Sequence, residues 1–463
     1  MVYDMLYNIG MNAKEFEEVF VRQMGEKYFT EKELKYNNSV GLFLSPYEFT
    51  KYLEYKETLI ETDDKRIIQL PLLTFNSKHI YFCLGDDLAS ILQSYLDLTL
   101  EDYKNNGSFL SERYSSMLYK SRIYSEIEGS LNVENVPTTR KRLKELLEDN
   151  KPTENTNDIV IKNMKQAIDF VESGEPFNKY NLYLLYNILS KDSLSEENKL
   201  LTDNLYRHDG VEVGTYKGCP VGDIEKCMDS LFEYVEKVLN DNENILERIL
   251  LPHICHYYIV YIHPYFDFNG RTARMVSYWI YSLSKSEYLP PLVSEAINQT
   301  KKYYYRSLEM TRDCHNDLTY FLKYILNISI GYLLCYENIE YIGNHIKNKG
   351  FTLTETESSY IKKILVSAKG SFTYQDFITY CNITISKQGA LKILNKFVKY
   401  DVLKEVKSKS KTKLFCINEK KLLFKQQIEL WKESHHWDFI SLNQFQVPFP
   451  RTCNQTKGSF SIC

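Results

Sequence analysis

The chain has 463 residues, 43% hydrophobic and 25% charged, the balance of an ordinary globular protein with room for several domains. A formal charge of −4 gives no whole-chain attraction to nucleic acid or membrane. The ten cysteines include no CxxC, which excludes zinc ribbons and thioredoxin-like motifs and predicts reduced thiols.

The first residues lack a basic stretch followed by an apolar one, so no secretory leader is expected and the reading is cytoplasmic. Residues 1–115 mix short helical patterns with β-like runs at 67–75 and 79–85, and read as a mixed N-terminal module. From 116 to 345 the helical period dominates. Apolar spacing predicts helices over 159–173, 223–240, 245–262, 272–284 and 318–335. The Asn/Asp/Pro-rich stretch 148–158 reads as a loop, and the alternating segment YRHDGVEVG at 206–214 reads as a β-hairpin. Residues 249–266 contain no Lys, Arg, Asp or Glu. Three His and two Pro within the stretch, with Arg248 and Asp267 at its ends, predict a buried helix entering a loop rather than a membrane span.

Residues 351–420 have a different texture, with twelve Lys against six Asp and Glu between 351 and 419. Helices over 355–367, 374–380 and 386–400, followed by strands at 402–408 and 411–417, make the plan of a winged helix-turn-helix. The tail, 421–463, contains Trp431 and Trp437 and is expected to dock on something.

The segment that carries chemistry is His263-Pro264-Tyr265-Phe266-Asp267-Phe268-Asn269-Gly270-Arg271-Thr272-Ala273-Arg274. It leaves one predicted helix and opens the next, and the N-terminus of a helix offers free N–H groups and the positive dipole end to an anion. Asn269-Gly270 supplies a tight turn through which backbone can approach a phosphate. Arg271 and Arg274, three residues apart, share a helix face and point to phosphate oxygens. Asp267 is a hard carboxylate suited to Mg²⁺ carried by a nucleotide, and His263 is a candidate general base. Base, metal carboxylate and phosphate turn together describe a phosphate-transfer site. The alternative for His253, His256 and His263, a shared metal, lacks a supporting Cys or HExxH pattern, so His253 and His256 read as packing residues.

This segment resembles the Fic family motif HPFx(D/E)GN(G/K)RxxR. It departs from it at Tyr265, where the family has Phe, and at Phe268, where the family has Gly. The second departure places a side chain in a turn that usually has none, at a strain of about 1 kcal/mol or more if φ must be positive there. The resemblance spans roughly residues 116–340. It implies a helical Fic core with a β-hairpin flap, so the expected fold class is mainly α, with the N-terminal module before it and the winged helix after it.

By the same resemblance, Arg207, Val211 and Val213 would belong to a flap that docks a target segment by strand addition. Asn298, Tyr303 and Tyr304 would lie beside the nucleoside. Residues 124–129 resemble the family's inhibitory motif (S/T)xxxE(G/N), with Glu128 and Gly129 in place but Tyr124 at the Ser/Thr position. Glu128 would then pair with Arg274 and displace the γ-phosphate.

The implied function is protein adenylylation: transfer of AMP from ATP, with Mg²⁺, to a Ser, Thr or Tyr hydroxyl of another protein or of the chain itself. His263 would be the base, Asp267 the metal ligand, and Asn269, Gly270, Arg271 and Arg274 the phosphate contacts. Three alternatives stay open: removal of AMP by the same site, use of another nucleotide, and a DNA-binding regulator acting through residues 351–420 whose Fic core only senses. A homodimer is also left open, and no membrane partner is expected.

Overall fold

The computed structural model describes residues 13–25, 27–36, 44–106, 116–241, 244–284, 293–368, 370–381, 383–406 and 412–418. The chain forms two compact units, the first of residues 1–113, 122–329 and 461–463, the second of residues 114–121 and 330–460. The expected docking tail with Trp431 and Trp437 lies outside the described residues.

The first unit opens with α1 (Ala13–Gly25), α2 (Glu31–Tyr36) and α3 (Pro46–Glu61). Ser45 and Glu48 close a capping box at the start of α3, each side chain bonding the other's backbone N–H. The two β-like runs contribute only β1 (Ile67–Gln69) and β2 (Tyr81–Cys83), paired antiparallel with Ile68 opposite Phe82. The N-terminal segment is therefore mostly helical, and its core is not self-contained. Phe16, Phe20, Tyr52 and Tyr81 share one cluster with Met310, Cys314 and Tyr320 from more than two hundred residues later. Lys56 is buried there against Asp317, and Tyr28 donates its hydroxyl to the same carboxylate. A buried cation without that carboxylate would be costly, which ties the two segments together.

Helices α4 (Asp86–Asn106), α5 (Ser116–Val133), which belongs to this unit from Arg122 onward, and α6 (Arg140–Leu147) lead into its centre. There α7 (Thr156–Glu172), α8 (Lys179–Ser190), α9 (Val221–Asn240), α10 (Ile245–Ile262) and α11 (Asn269–Leu283) pack together. Asn155 caps α7 by accepting from the Asp158 N–H, so the predicted loop at 148–158 ends where a short amide can satisfy a free donor. Nearly every residue of α10 from Ile249 onward is buried, which explains its run without charges. Among the described residues no helix is long and apolar enough to cross a membrane.

The hairpin forms later than its sequence pattern suggests. Its strands are β3 (Glu212–Val213) and β4 (Tyr216–Lys217), joined through Gly214 at φ 60°, while residues 206–211 lead into it. Then come α12 (Ser294–Gln299), α13 (Lys301–Asp313) and α14 (Thr319–Asn348), the last of which contributes its first part to this unit.

The second unit contains α15 (Glu355–Ser367), β5 (Ser371–Phe372), α16 (Tyr374–Cys381), α17 (Lys387–Lys399), β6 (Leu403–Val406) and β7 (Leu414–Ile417). Its antiparallel sheet runs β5–β7–β6 over a core that includes Ile361, Phe377, Leu394, Phe397 and Phe415. The two-residue β5 is too short to show as an alternating pattern.

Candidate active site

The end of α10 and the start of α11 shape the site. His263 follows α10 in the left-handed region at φ 56°, its N–H still bonded to the Ile259 carbonyl, and the chain turns sharply there. Asn269 then closes the loop on itself. Its Oδ1 accepts from the Tyr265 N–H at 3.0 Å and its Nδ2 donates to the Tyr265 carbonyl at 2.8 Å. Tyr265 is fully buried, its ring stacked on Tyr186 at 3.8 Å, so the Phe-to-Tyr departure keeps its packing role.

Burial pushes the His263 imidazole down to about 4, against a hydrogen bond to the Val260 backbone that raises it. Its Nε2 has no hydrogen-bond partner among the described residues. The Val260 contact therefore falls to Nδ1, and the neutral ring holds its lone pair on Nε2. A neutral base at every pH near 7 results. His253 and His256 are buried in α10, the latter bonded to the Tyr304 hydroxyl at 2.9 Å. Among the described residues no cluster of three or more His, Cys, Asp and Glu is placed to hold a metal ion.

His263 lines a cavity of about 630 Å³ together with Asn269, Gly270, Arg274, Tyr303, Tyr304, Arg312 and the hairpin residues Val213–Tyr216. That volume lies within the ~300–1,000 Å³ range of small-molecule sites. Arg274 is almost completely buried. Its Nε donates to Ser130 Oγ at 3.0 Å, and its Nη2 to the Ser130 carbonyl at 3.2 Å and to Glu134 Oε1 at 2.7 Å. Burial opposes its charge, and Glu134, the larger of the favourable influences, keeps the guanidinium above its ordinary value. Gly270 admits this carboxylate: a Cβ there would lie 2.5 Å from Glu134 Oε1.

The hairpin rim is held by backbone. The Gly218 N–H donates to Val211 and the Cys219 N–H to Ile262, at 3.0 and 3.1 Å. The Tyr216 hydroxyl donates to the Tyr261 carbonyl, and the Arg312 guanidinium lies 4.2 Å from the Tyr216 ring centroid.

Residues 176–281, which contain the loop and the helices on either side of it, match the family described as Fic/DOC. This stretch is a Fic/DOC-family domain. The chain is 31% identical over 120 residues to the protein adenylyltransferase Fic of Nematostella vectensis, covering 26% of each. It is 24% identical over 295 residues to that of Drosophila melanogaster, covering 60% of this chain and 56% of the relative. The chain thus spans from about a quarter to just over half the length of these relatives. A Fic family protein from Desulfovibrio desulfuricans G20 aligns in structure at 17% identity and a TM-score of 0.46, over 73% of this chain and 97% of that one.

Several expected residues fall elsewhere. Glu128 does not meet Arg274; it faces Arg140 at 3.8 Å. The carboxylate on Arg274 is Glu134, one residue past the end of α5. The signal was present in the sequence: Ser130-Leu131-Asn132-Val133-Glu134-Asn135 satisfies (S/T)xxxE(G/N) at every specified position, six residues after the imperfect match. Gly129 has a packing role instead. A Cβ there would stand 2.5 Å from the Glu295 backbone nitrogen, and neighbouring Glu126 is buried against Ser294 through two hydrogen bonds. Both bring α5 onto α12.

Arg207 is not a target-facing residue. It is buried, with its Nε donating to the His263 carbonyl at 2.8 Å and its other nitrogens to the carbonyls of Asp209 and Cys219. It fastens the hairpin base to the motif loop. Val213 lines the cavity and Val211 sits at the hairpin base, whereas Asn298 is half-buried on α12 and does not line it. Asp267 and Arg271 are not part of the lining either. They face each other across the same turn at 3.6 Å, and the Asp267 carboxylate accepts the Phe268 N–H at 2.5 Å. That N–H is therefore already used within the turn.

Proposed function

We propose that the chain is a protein adenylyltransferase, moving AMP from ATP to a hydroxyl side chain of a target protein or of itself. The observation that carries this reading is the unpartnered Nε2 of a neutral, buried His263, facing the same cavity as Arg274 and the hairpin. A target hydroxyl presented along β3 would lose its proton to Nε2 while its oxygen bonds to the α-phosphorus and pyrophosphate leaves with the bridging oxygen. Gly270 would give the phosphates close access to backbone, and Asn269 keeps the turn in shape through its two bonds to Tyr265.

Asp267 is a partly exposed carboxylate on the motif loop, which fits a Mg²⁺ ion that keeps several waters and enters with the nucleotide. When bound, the ion supplies charge neutralisation at the phosphates. Tyr303 and Tyr304 line the cavity and would flank the nucleoside, with Tyr304 fixed by His256.

Glu134 would regulate the site. While its carboxylate occupies Arg274, that cation cannot also hold a γ-phosphate, so the resting chain would bind ATP weakly or in an unreactive pose. A second reading comes from the same contact: Glu134 lines the cavity with His263 and could orient a water for AMP removal. Labelled ATP with Mg²⁺ separates the two. Strong labelling by Glu134→Gly, weak labelling by wild type and none after His263→Ala is the expected pattern. Release of AMP from a modified protein, with no incorporation by any variant, would favour removal.

The second unit supports a winged-helix reading, with Lys387, Lys392, Lys396 and Lys399 along α17. Part of this charge is engaged: Lys396 pairs with Glu357, and Lys387 and Lys399 lie over Tyr374 and Phe351. A gel shift at low salt that weakens steeply with added salt would support DNA binding, and its absence a protein partner.

A further inference from the structure

Phe268 occupies the position where strain was foreseen, and the strain is present. Its φ is 65°, in the left-handed region, at the residue that caps α11. A non-glycine residue costs about 1–2 kcal/mol there. Glycine would remove that cost, so the ring must do something to offset it. The phenyl group is buried, and the Arg271 guanidinium carbon lies 3.4 Å from its centroid. Arg271 is itself buried, and the Asp267 carboxylate lies 3.6 Å from its Nη2.

A buried cation has lost water, and the groups around it make up the difference. The aromatic face supplies part of the difference through its quadrupole, and it does so in one orientation. With one face of the planar guanidinium on the ring, its N–H edges point away from it, in the plane where phosphate oxygens are bound. Asp267 holds the arrangement from the other side, since the same carboxylate oxygen takes the Phe268 N–H and lies nearest Arg271.

We propose that Phe268 is a positioning residue for Arg271. Its ring is the platform that holds the guanidinium ready for phosphate, and the left-handed backbone is the cost of placing it there. This rests on the reading of Arg271 as a phosphate contact, but the platform itself is a property of the resting chain.

Two measurements on the full chain test it. In the Glu134→Gly background, calorimetry with ATP and Mg²⁺ should give unchanged affinity for Phe268→Tyr. Affinity should be about tenfold weaker for Phe268→Leu and Phe268→Gly, the size of one buried cation–π contact. Leucine fills space without a π face, so an affinity for Phe268→Leu equal to that of the Glu134→Gly parent would overturn the proposal. The second measurement needs no nucleotide. With ¹⁵N-arginine, the Arg271 side-chain N–H signal should be displaced upfield by the ring in wild type and Phe268→Tyr, and should return to an ordinary position in Phe268→Leu. An identical signal in wild type and Phe268→Leu would also overturn it. If the Glu134→Gly parent fails to bind ATP, the adenylyltransferase reading falls, and the arginine signal alone decides the role of Phe268.

Discussion

The two ends of the cavity are built in different ways. At the hairpin end His263 is set by its left-handed backbone and by Arg207, which bonds the carbonyls of His263, Asp209 and Cys219. These are contacts to backbone, and nothing that enters the cavity could replace them. At the Arg274 end the main restraint is an ion pair with Glu134, a side chain that an anionic ligand could displace. One end is preset and the other is a competition. A transferase with a fixed base and a contested phosphate site would be regulated through nucleotide binding rather than through the base.

The strongest way to break this comparison is at the base. His263→Ala should lower transfer by about 10²–10⁴-fold while leaving ATP affinity nearly unchanged, because the phosphate contacts lie elsewhere. A matching loss of ATP affinity, measured by calorimetry, would show that the two ends are not separate.

Next is the fastening of the preset end. Arg207→Met removes three hydrogen bonds from a buried cation to backbone carbonyls and should lower stability by about 3 kcal/mol, read as a fall in Tm. Hydrogen exchange should quicken in residues 211–218 while the ATP affinity of the folded fraction is kept. Unchanged exchange there would mean that Tyr216 and the Arg312 contact hold the hairpin without Arg207.

The contested end should respond to Glu134. Glu134→Gly should bind ATP about ten- to a hundredfold more tightly than wild type, from about 1.5–3 kcal/mol of charge-assisted pairing, with Glu134→Gln between them. Glu128→Gly should match wild type, since its partner is Arg140. Equal affinities for wild type and Glu134→Gly would remove the competition.

The smallest expected effect sharpens the comparison. With the His263 pKa pushed down to about 4, transfer should change little between pH 6 and 8 and fall only as pH approaches 4. An inflection near 6.5 would show a base in contact with water. Stability should follow the same sign. The unfolded His protonates first, near ~6.5, so the stability from a neutral buried His is complete above that pH. It is lost as pH falls toward 4, and His253, pushed down to about 4 by burial, adds to the loss. Tm should therefore drop between pH 7 and pH 5.

Much of this was legible in the chain. The helical period located α9, α10 and α11 within a few residues, and the His263–Arg274 spacing located the loop between the last two. A charge-free run with three His and two Pro fitted a buried helix ending in a loop better than a membrane span. The same spacing argument went astray at α5, where an imperfect match was read in place of the complete one at Ser130–Glu134–Asn135. Both glutamates lie in the same stretch of chain, and periodicity does not say which of them meets an arginine 140 residues away.

The sequence by itself determined the helical class, the motif loop and the residue types that do its chemistry, because local spacing and turn chemistry act over a few residues. Only the tertiary structure decided which carboxylate reaches Arg274, and that Arg207 faces backbone rather than a target. It also decided that the N-terminal helices share a core with Met310, Cys314 and Tyr320. The physical reason is the same in each case. A buried charge or a buried apolar face must find its partner in space, and the pairing depends on how helices far apart in sequence come to lie together.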